Sequence, residues 1–505
     1  MRPSRIVCAA TLLAATLATL YLVLEPSSQD LAAATFRTDL FAEHGFLLWN
    51  DLWYSGHYLL SYSVLLPPLG ALLGVRLVAA LSVVAAAALF AVLAERRCGD
   101  RAWVGALWFA AGVASWLLTG RVTFLLGVPF GLGALLAADS RRLVPATALA
   151  ALASLASPVA GLFVGLAGAA LGIAVEPRRG GWLVLGALAP IAVLNLAFPT
   201  GGYEPFVFSA FVAVPLLAVA ALWLVPGEYR ALRIGIVLYA LLALALFLIP
   251  NPLGGNVTRL GALVAGPVMA LVLWPRSRLL VAVVAVPLLY WQLVAPVRDA
   301  RKAAGDPATE RAFYEPLLAE LDSVTAGEPA VRIQVPPTAT RFEAAYVAAE
   351  HPIARGWLRQ LESEDFDLFT EGELDAVSYR DWLDEHDVAY VAVPDAKLDY
   401  LAEDEVALID SGLDYLKPIW ANENWRLYRV EDARAPRLSA VGPDWFELDA
   451  PRPGDYSVGI RASRYWTVTD GDACVGDEDG EAVVRARSPG PIRVENRLVG
   501  DSCSP

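Results

Sequence analysis

The chain has 505 residues, of which 56% are hydrophobic and 18% charged, and its mean hydropathy is +0.49. Soluble globular proteins contain about 25% charged residues, so this composition argues against a wholly soluble protein. Charge divides the chain, because residues 1–297 carry 17 arginines and 11 acids, whereas residues 298–505 carry 22 basic and 42 acidic residues. We predict a membrane half followed by an acidic, water-exposed half. The lack of a basic patch disfavours nucleic acid as a partner, so none is predicted.

Eleven apolar segments in the first 297 residues are long enough to approach a membrane-spanning helix, which needs about 20 residues. Proline disfavours the continuation of a helix, so we divide the apolar run 143–175 at Ser157-Pro158. The predicted spans are 6–24, 74–95, 103–118, 123–139, 143–157, 158–175, 182–198, 205–225, 232–249, 257–274 and 279–297.

Arginines in the connecting segments predict the orientation, since cytoplasmic loops collect basic residues. With eleven spans, every basic connection falls on one side, and the segments 25–73, 119–122, 199–204 and 250–256 fall on the other. We therefore predict a multi-pass protein of the cell membrane with a cytoplasmic N-terminus and an extracytoplasmic C-terminal half. The basic connections contain Arg2, Arg5, Arg96, Arg97, Arg101, Arg141, Arg142, Arg178, Arg179, Arg230, Arg233, Arg276 and Arg278.

The cysteines agree with this orientation. Cys474 and Cys503 lie in the predicted outer half, where disulfides persist, and we predict that they pair. Cys8 falls in the first span and Cys98 in a cytoplasmic connection. The sequence has no C-x-x-C pair and no Cys/His spacing typical of a metal site, so no metal ligand is assigned and the cofactor stays unknown.

Several classes of membrane protein are disfavoured by what the spans and connections lack. The spans are almost empty of ionisable residues, which argues against a proton- or sodium-coupled transporter. No phosphate-binding loop of the G-x-x-x-x-G-K-[ST] type occurs, and the cytoplasmic connections are too short to fold into a nucleotide-binding domain. Any chemistry is therefore expected at the outer face, with a lipid-linked donor as the natural activated substrate.

The first outer loop, residues 25–73, concentrates the residues suited to chemistry. Asp39 and Glu43 are four residues apart, so a helix places both on one face. A carboxylate at a membrane surface can act as a general base, and Asp51 is a further candidate. The alternative is an interfacial loop anchored by its aromatic residues. Candidate substrate-binding residues in the same loop are Arg37, His44, Trp49 and His57.

The loop sequence TDLFAEHGFLLWNDLWYSGHYLLSYSVLLPPLGALLG resembles the first outer loop of GT-C membrane glycosyltransferases. It is similar to that of bacterial 6-pyruvoyl-tetrahydropterin-synthase-related membrane domain proteins. The resemblance implies transfer of a sugar from a polyprenyl-phosphate donor to a cell-envelope glycan, with Asp39 as the catalytic acid and Glu43 or Asp51 as second candidates. The chain departs from the family's paired-acid form, because no acid is adjacent or next but one to Asp39. That departure weakens the case for a divalent metal.

Two arginines at the outer ends of predicted spans are candidates for binding the donor phosphate. Arg121 and Arg259 each carry a guanidinium group, which can bind phosphate oxygens with a bidentate fork. Asn256 lies in the Gly-Gly-Asn stretch before Arg259, where backbone N–H groups can approach an anion. The alternative for both arginines is that they extend to lipid headgroups.

The C-terminal half divides by its periodicity. Residues 298–433 alternate helical and strand patterns, which predicts an extracytoplasmic α/β domain, and residues 434–505 show short strands between turns, typical of a small β-sandwich. The whole chain is thus predicted as a GT-C-like membrane domain, 1–297, followed by these two domains. The competing functions are a non-enzymatic scaffold that binds envelope glycan and, less favoured, a lipid or polymer transporter.

Overall fold

The computed structural model describes residues 4–365, 367–370, 372, 374–434, 437–498 and 503, so Arg2 lies outside the described residues. The chain is mostly helical, with long apolar helices first and a strand-rich C-terminal region that forms small sheets. Its contacts separate two compact units. The helical unit comprises Met1–Ala42 and Ser61–Ala304, and the mixed unit comprises Glu43–Leu60 and Gly305–Pro505.

A helix overlaps each of the eleven predicted spans. Seven apolar helical segments in the described part of the chain are long enough to cross a membrane, and three shorter apolar helices accompany them. Helices α1–α14 are Arg5–Leu24, Gln29–His44, Leu66–Leu73, Val75–Cys98, Trp103–Ser115, Val122–Asp139, Leu143–Ala156, Pro158–Ala174, Pro177–Ala197, Phe208–Phe211, Ala213–Leu224, Arg230–Leu248, Thr258–Leu273 and Arg278–Ala303.

The break between α7 and α8 confirms the predicted division of the run 143–175. Helix α7 ends at Ala156, Ser157 is extended with φ −160° and ψ 121°, and α8 begins at Pro158. An extended residue before proline is expected, because the proline ring clashes with a helical conformation there. Helices α6 to α9 then pack through small side chains, which lets their backbones approach closely.

The mixed unit contains three small sheets besides a hairpin. Strands β3 and β4 pair in parallel, whereas β6 pairs antiparallel with both β4 and β5, in the order β3-β4-β6-β5. The later strands form the sheets β10-β13-β8-β7 and β11-β12-β9. Strands β3–β13 are Arg332–Gln334, Val388–Pro394, Leu416–Ala421, Trp425–Val430, Ala440–Val441, Trp445–Ala450, Gly454–Arg461, Trp466–Asp470, Ala473–Glu478, Glu481–Ala486 and Gly490–Asn496, and helices α15–α20 are Arg311–Thr325, Glu343–Tyr346, Arg359–Asp365, Asp367–Thr370, Ala376–Glu385 and Glu403–Asp410.

Part of the predicted first outer loop belongs to the mixed unit by its contacts. Strands β1, Trp49–Asn50, and β2, His57–Tyr58, form a hairpin within Glu43–Leu60. The Ile353 N–H donates to the Leu52 carbonyl at 3.0 Å, and the Arg461 N–H donates to the Ser55 carbonyl at 2.9 Å. This short hairpin therefore hydrogen-bonds to segments of the mixed unit that come some 300 to 400 residues later in the sequence.

The predicted disulfide is confirmed. Cys474 on β11 is bonded to Cys503, and the Cys503 N–H donates to the Val475 carbonyl at 3.2 Å. The bond ties Cys503 to β11, an edge strand of the sheet β11-β12-β9. A cross-link of this kind stabilises a small core that buries little apolar surface on its own.

Candidate functional site

Helix α2 presents two opposite faces, and they separate the charged residues of the first outer segment. Asp30 and Arg37 are seven residues apart, so at 3.6 residues per turn they lie on one face. Asp39 follows two residues after Arg37, which places it about half a turn away from that face. Asp39 is exposed, whereas Arg37 is buried.

Arg37 stacks on an aromatic ring inside the helical unit. It is 5% exposed, and its guanidinium carbon lies 4.0 Å from the centre of the Tyr62 ring. A guanidinium group over an aromatic face is attracted by the ring quadrupole. Burial lowers the pKa of Arg37 to about 10, so the side chain remains a cation at neutral pH.

Arg121 lies between two acids. It precedes α6 directly after Gly120, and its Nε donates to Asp30 at 2.8 Å while one terminal nitrogen lies 3.7 Å from Asp299. Burial alone would lower the pKa of Arg121, but the two carboxylates outweigh burial and raise it. Arg121 is therefore a cation whose charge the protein already balances.

Arg259 lies in the first turn of α13, and its charge is less well balanced. Its guanidinium group is 5.8 Å from the centre of the Phe124 ring and interacts electrostatically with Arg121, Asp30 and Tyr62. Within the described chain it has no carboxylate within 4.0 Å, and its buried Nε has no hydrogen-bond partner. Glu204 acts on it only at longer range.

The structure thus brings Arg121 and Arg259 into one group, together with Arg37 and Tyr62. We call Arg37, Arg121 and Arg259, with Tyr62 and Asp30, the arginine cluster. The sequence predicts the three arginines as site residues but neither Asp30 nor Tyr62. The seven-residue spacing of Asp30 and Arg37 was a usable signal, but it has meaning only if the segment is helical.

Asn256 lies beside the cluster in sequence, in the short 3₁₀ turn Gly254–Val257 that leads directly into α13. Its N–H donates to the Leu253 carbonyl at 2.9 Å. Gly254 has φ +43°, and a Cβ there would lie 2.1 Å from the Glu204 carbonyl oxygen, so glycine is required at this close approach.

Apart from Asp39, the other residues predicted for the site belong to the mixed unit, where Trp49, Asp51 and His57 are buried. Asp51 is inaccessible to solvent, and the Trp49 indole N–H donates to it at 2.6 Å. Burial raises the pKa of Asp51 well above its usual range, despite this hydrogen bond. The His57 ring is stacked on Trp53 at 5.5 Å between ring centres. These contacts are typical of a packed interior rather than of a solvent-facing acid/base site.

Glu43 and His44 form a separate exposed pair at the end of α2. The His44 Nε2 atom lies 3.8 Å from the Glu43 carboxylate, and both residues are exposed. Exposed pairs of this kind contribute little to stability, because water screens the charges. Glu43 and His44 belong to the mixed unit, whereas Asp39 belongs to the helical unit.

The described residues form no metal site, and comparison with known sequences finds no relative. No group of three or more His, Cys, Asp or Glu side chains suited to a metal ion occurs among the described residues. Neither a protein-family model nor a curated protein sequence matches this chain.

Proposed function

We propose that the protein is a membrane glycosyltransferase that moves a sugar from a polyprenyl-phosphate donor to a cell-envelope glycan at the outer face of the membrane. In this proposal the chain crosses the bilayer eleven times in a GT-C-like arrangement, with its N-terminus in the cytoplasm and its mixed unit outside. The disulfide between Cys474 and Cys503 supports an oxidising compartment for that unit. The observation that carries the proposal is the incompletely balanced charge of Arg259.

A partly buried guanidinium group without a carboxylate partner costs free energy, because its desolvation is not compensated. An anion that binds at Arg259 would remove this cost. The first turn of α13 adds the positive end of a helix dipole, which also favours an anion. A phosphate group suits this position because its oxygens accept several charge-assisted hydrogen bonds at once.

The carboxylate that accompanies these cations is Asp30 rather than Asp39. Asp30 is bonded to Arg121, and both lie within electrostatic range of Arg259. We therefore assign to Asp30 the role of orienting the acceptor hydroxyl and accepting its proton. The family resemblance implies Asp39 for this role instead. Mutation of each carboxylate in turn decides between Asp30 and Asp39.

The proposed reaction is a single displacement at the anomeric carbon. The acceptor oxygen forms a bond to that carbon as its proton passes to Asp30, and the bond between the anomeric carbon and the phosphate oxygen breaks. The leaving phosphate takes the bonding electrons, and Arg259 stabilises its negative charge. Such a displacement inverts the anomeric centre.

The test of this function uses membranes that contain the full chain and a panel of polyprenyl-phosphate sugars. We expect Arg259→Gln to lower sugar transfer at least tenfold, because a hydrogen bond to a charged group contributes about 1.5–3 kcal/mol. Arg142→Gln, which changes an exposed arginine of the same unit, should leave transfer unchanged. Absence of transfer by the wild-type chain with every donor, or full activity of Arg259→Gln, would contradict the proposal.

A second pair of variants separates the two carboxylates. Asp30→Asn should abolish transfer, while Asp39→Asn should retain it, because α2 directs Asp39 away from the arginine cluster. Donor binding measured independently of turnover distinguishes lost catalysis from lost structure, since Asp30 also holds Arg121. The reverse result would return Asp39 to the mechanism.

A further inference from the structure

The helical unit contains a second feature, a partly open apolar cavity of about 560 Å³. It is bordered by α4, α6, α8, α9 and α11–α14. Helix α6 borders it from Phe124 to Asp139, a distance of about 22 Å at 1.5 Å per residue. Apolar cavities do not hold water, since water finds no polar partner in them. A hydrocarbon chain is the natural occupant of an elongated cavity of this kind in a membrane protein.

The charged residues that border the cavity all lie at one end of it. Arg97 is in the last turn of α4, Asp139 is the last residue of α6, and Arg179 is in the first turn of α9. The remaining described residues of the wall are apolar, apart from Tyr239. The cavity is therefore amphipathic along its length, with a charged mouth and an apolar interior.

Arg179, at the charged mouth, is buried and only partly hydrogen-bonded. It is 9% exposed, one terminal nitrogen donates to Glu176 at 2.6 Å, and its buried Nε has no hydrogen-bond partner in the described chain. The Asp139 carboxylate is shared by Arg97 and by Arg96, which lies 3.8 Å from it. Among the charged residues that border the cavity, two arginines accompany one acid, which leaves a net positive charge at this end.

We propose that this cavity binds an anionic phospholipid, with one acyl chain inside it and the phosphate at Arg179. The positive mouth is complementary to an anionic headgroup, and basic pockets between membrane helices are suited to such lipids. The headgroup position is distinct from the arginine cluster, because Asp139 lies at the opposite end of α6 from Phe124, which contacts Arg259. In the proposed orientation its headgroup lies in the cytoplasmic leaflet.

Native mass spectrometry of the purified full chain tests this lipid site. The protein in neutral detergent is titrated with phosphatidylglycerol and with phosphatidylcholine of the same acyl chains. We expect one phosphatidylglycerol to bind at a concentration at least tenfold lower than phosphatidylcholine. Equal binding of the two lipids would overturn the proposal, because the positive mouth would then play no part.

Three variants locate the lipid. Arg179→Gln should weaken phosphatidylglycerol binding at least tenfold, and Arg142→Gln, an exposed arginine that does not border the cavity, should change it less than twofold. Gly235→Leu should also weaken binding, because a Cβ at Gly235 meets only Ala170, at 3.6 Å, so the larger side chain extends into the cavity. Wild-type affinity in both Arg179→Gln and Gly235→Leu would overturn the proposal.

Polyprenyl phosphate serves as the competing ligand. If it displaces phosphatidylglycerol, and its own binding falls in Arg259→Gln but not in Arg179→Gln, the cavity holds the tail of the donor and the phospholipid proposal is wrong. That outcome would leave the proposed transferase function intact. Failure of transfer in Arg259→Gln without any change in phospholipid binding would show that the two sites are independent.

Discussion

Glu343 is a carboxyl group held in the interior of the mixed unit. It is 3% exposed, and the Thr338 hydroxyl donates to it at 2.6 Å. Burial raises the pKa of Glu343 to about 7 from its ordinary 4.5, although Thr338 and Arg341 act in the opposite direction. The folded chain therefore holds the proton more tightly than the unfolded chain does.

This residue predicts a dependence of stability on pH. The free energy of unfolding contributed by Glu343 is fully present below about pH 4.5 and is lost as the pH rises through about 7, by up to about 3 kcal/mol. Hydrogen exchange of the β3 and β4 amides should show this loss in the wild type and a flatter profile in Glu343→Gln. Exposed Glu403→Gln is the matched control. Identical profiles in all three proteins would contradict the assignment.

The β1–β2 hairpin shows how one element depends on its turn. Tyr54, Ser55 and Gly56 have φ values of 54°, 56° and 118°, all in the left-handed region. Such conformations are costly for residues other than glycine. The strain is retained because the hairpin is held on both sides, by Leu52 to Ile353 and by Ser55 to Arg461.

Gly56→Ala should destabilise this hairpin. A Cβ at residue 56 would lie 2.3 Å from the Trp49 ring, in a conformation that alanine rarely adopts. We expect the free energy of unfolding to fall by about 1–3 kcal/mol. The measurement is the rate of hydrogen exchange and of proteolysis at residues 49–58, which should increase. Gly45 also has a positive φ, of 74°, but nothing lies within 4 Å of a Cβ there, so Gly45→Ala reports the cost of a positive φ without steric overlap. Equal effects of the two variants would rule out the overlap with Trp49.

Membrane orientation is a property of the whole molecule, and its cysteines report it. With Cys8 replaced by serine, a membrane-impermeant maleimide should label Cys98 only after intact cells are permeabilised. Cys474 and Cys503 should be labelled in intact cells, but only after reduction, because they form a disulfide. Labelling of Cys98 in intact cells would contradict the predicted cytoplasmic position of the α4–α5 connection.

Local features of this molecule were predictable from sequence, whereas long-range contacts were not. The break at Ser157-Pro158 follows from proline stereochemistry. The Cys474–Cys503 disulfide follows because these are the two cysteines of the predicted extracytoplasmic half, where disulfides persist. The position of the β1–β2 hairpin could not be predicted, since its partners lie hundreds of residues away. Asp30 was not predicted for a related reason, because its neighbour Arg121 lies 91 residues later in the sequence.

The hairpin has a consequence for biosynthesis. Residues 49–58 emerge from the ribosome early, but their partner Arg461 is made about 400 residues later, which takes roughly 20–80 s at 5–20 residues per second. Throughout this interval Trp49, Trp53 and Tyr58 lack the chain segments that will bury them. The aromatic side chains of the first hairpin must therefore wait for β9 and β10 before they are covered, so truncated products will carry an exposed aromatic surface that quality-control proteases and chaperones can recognise.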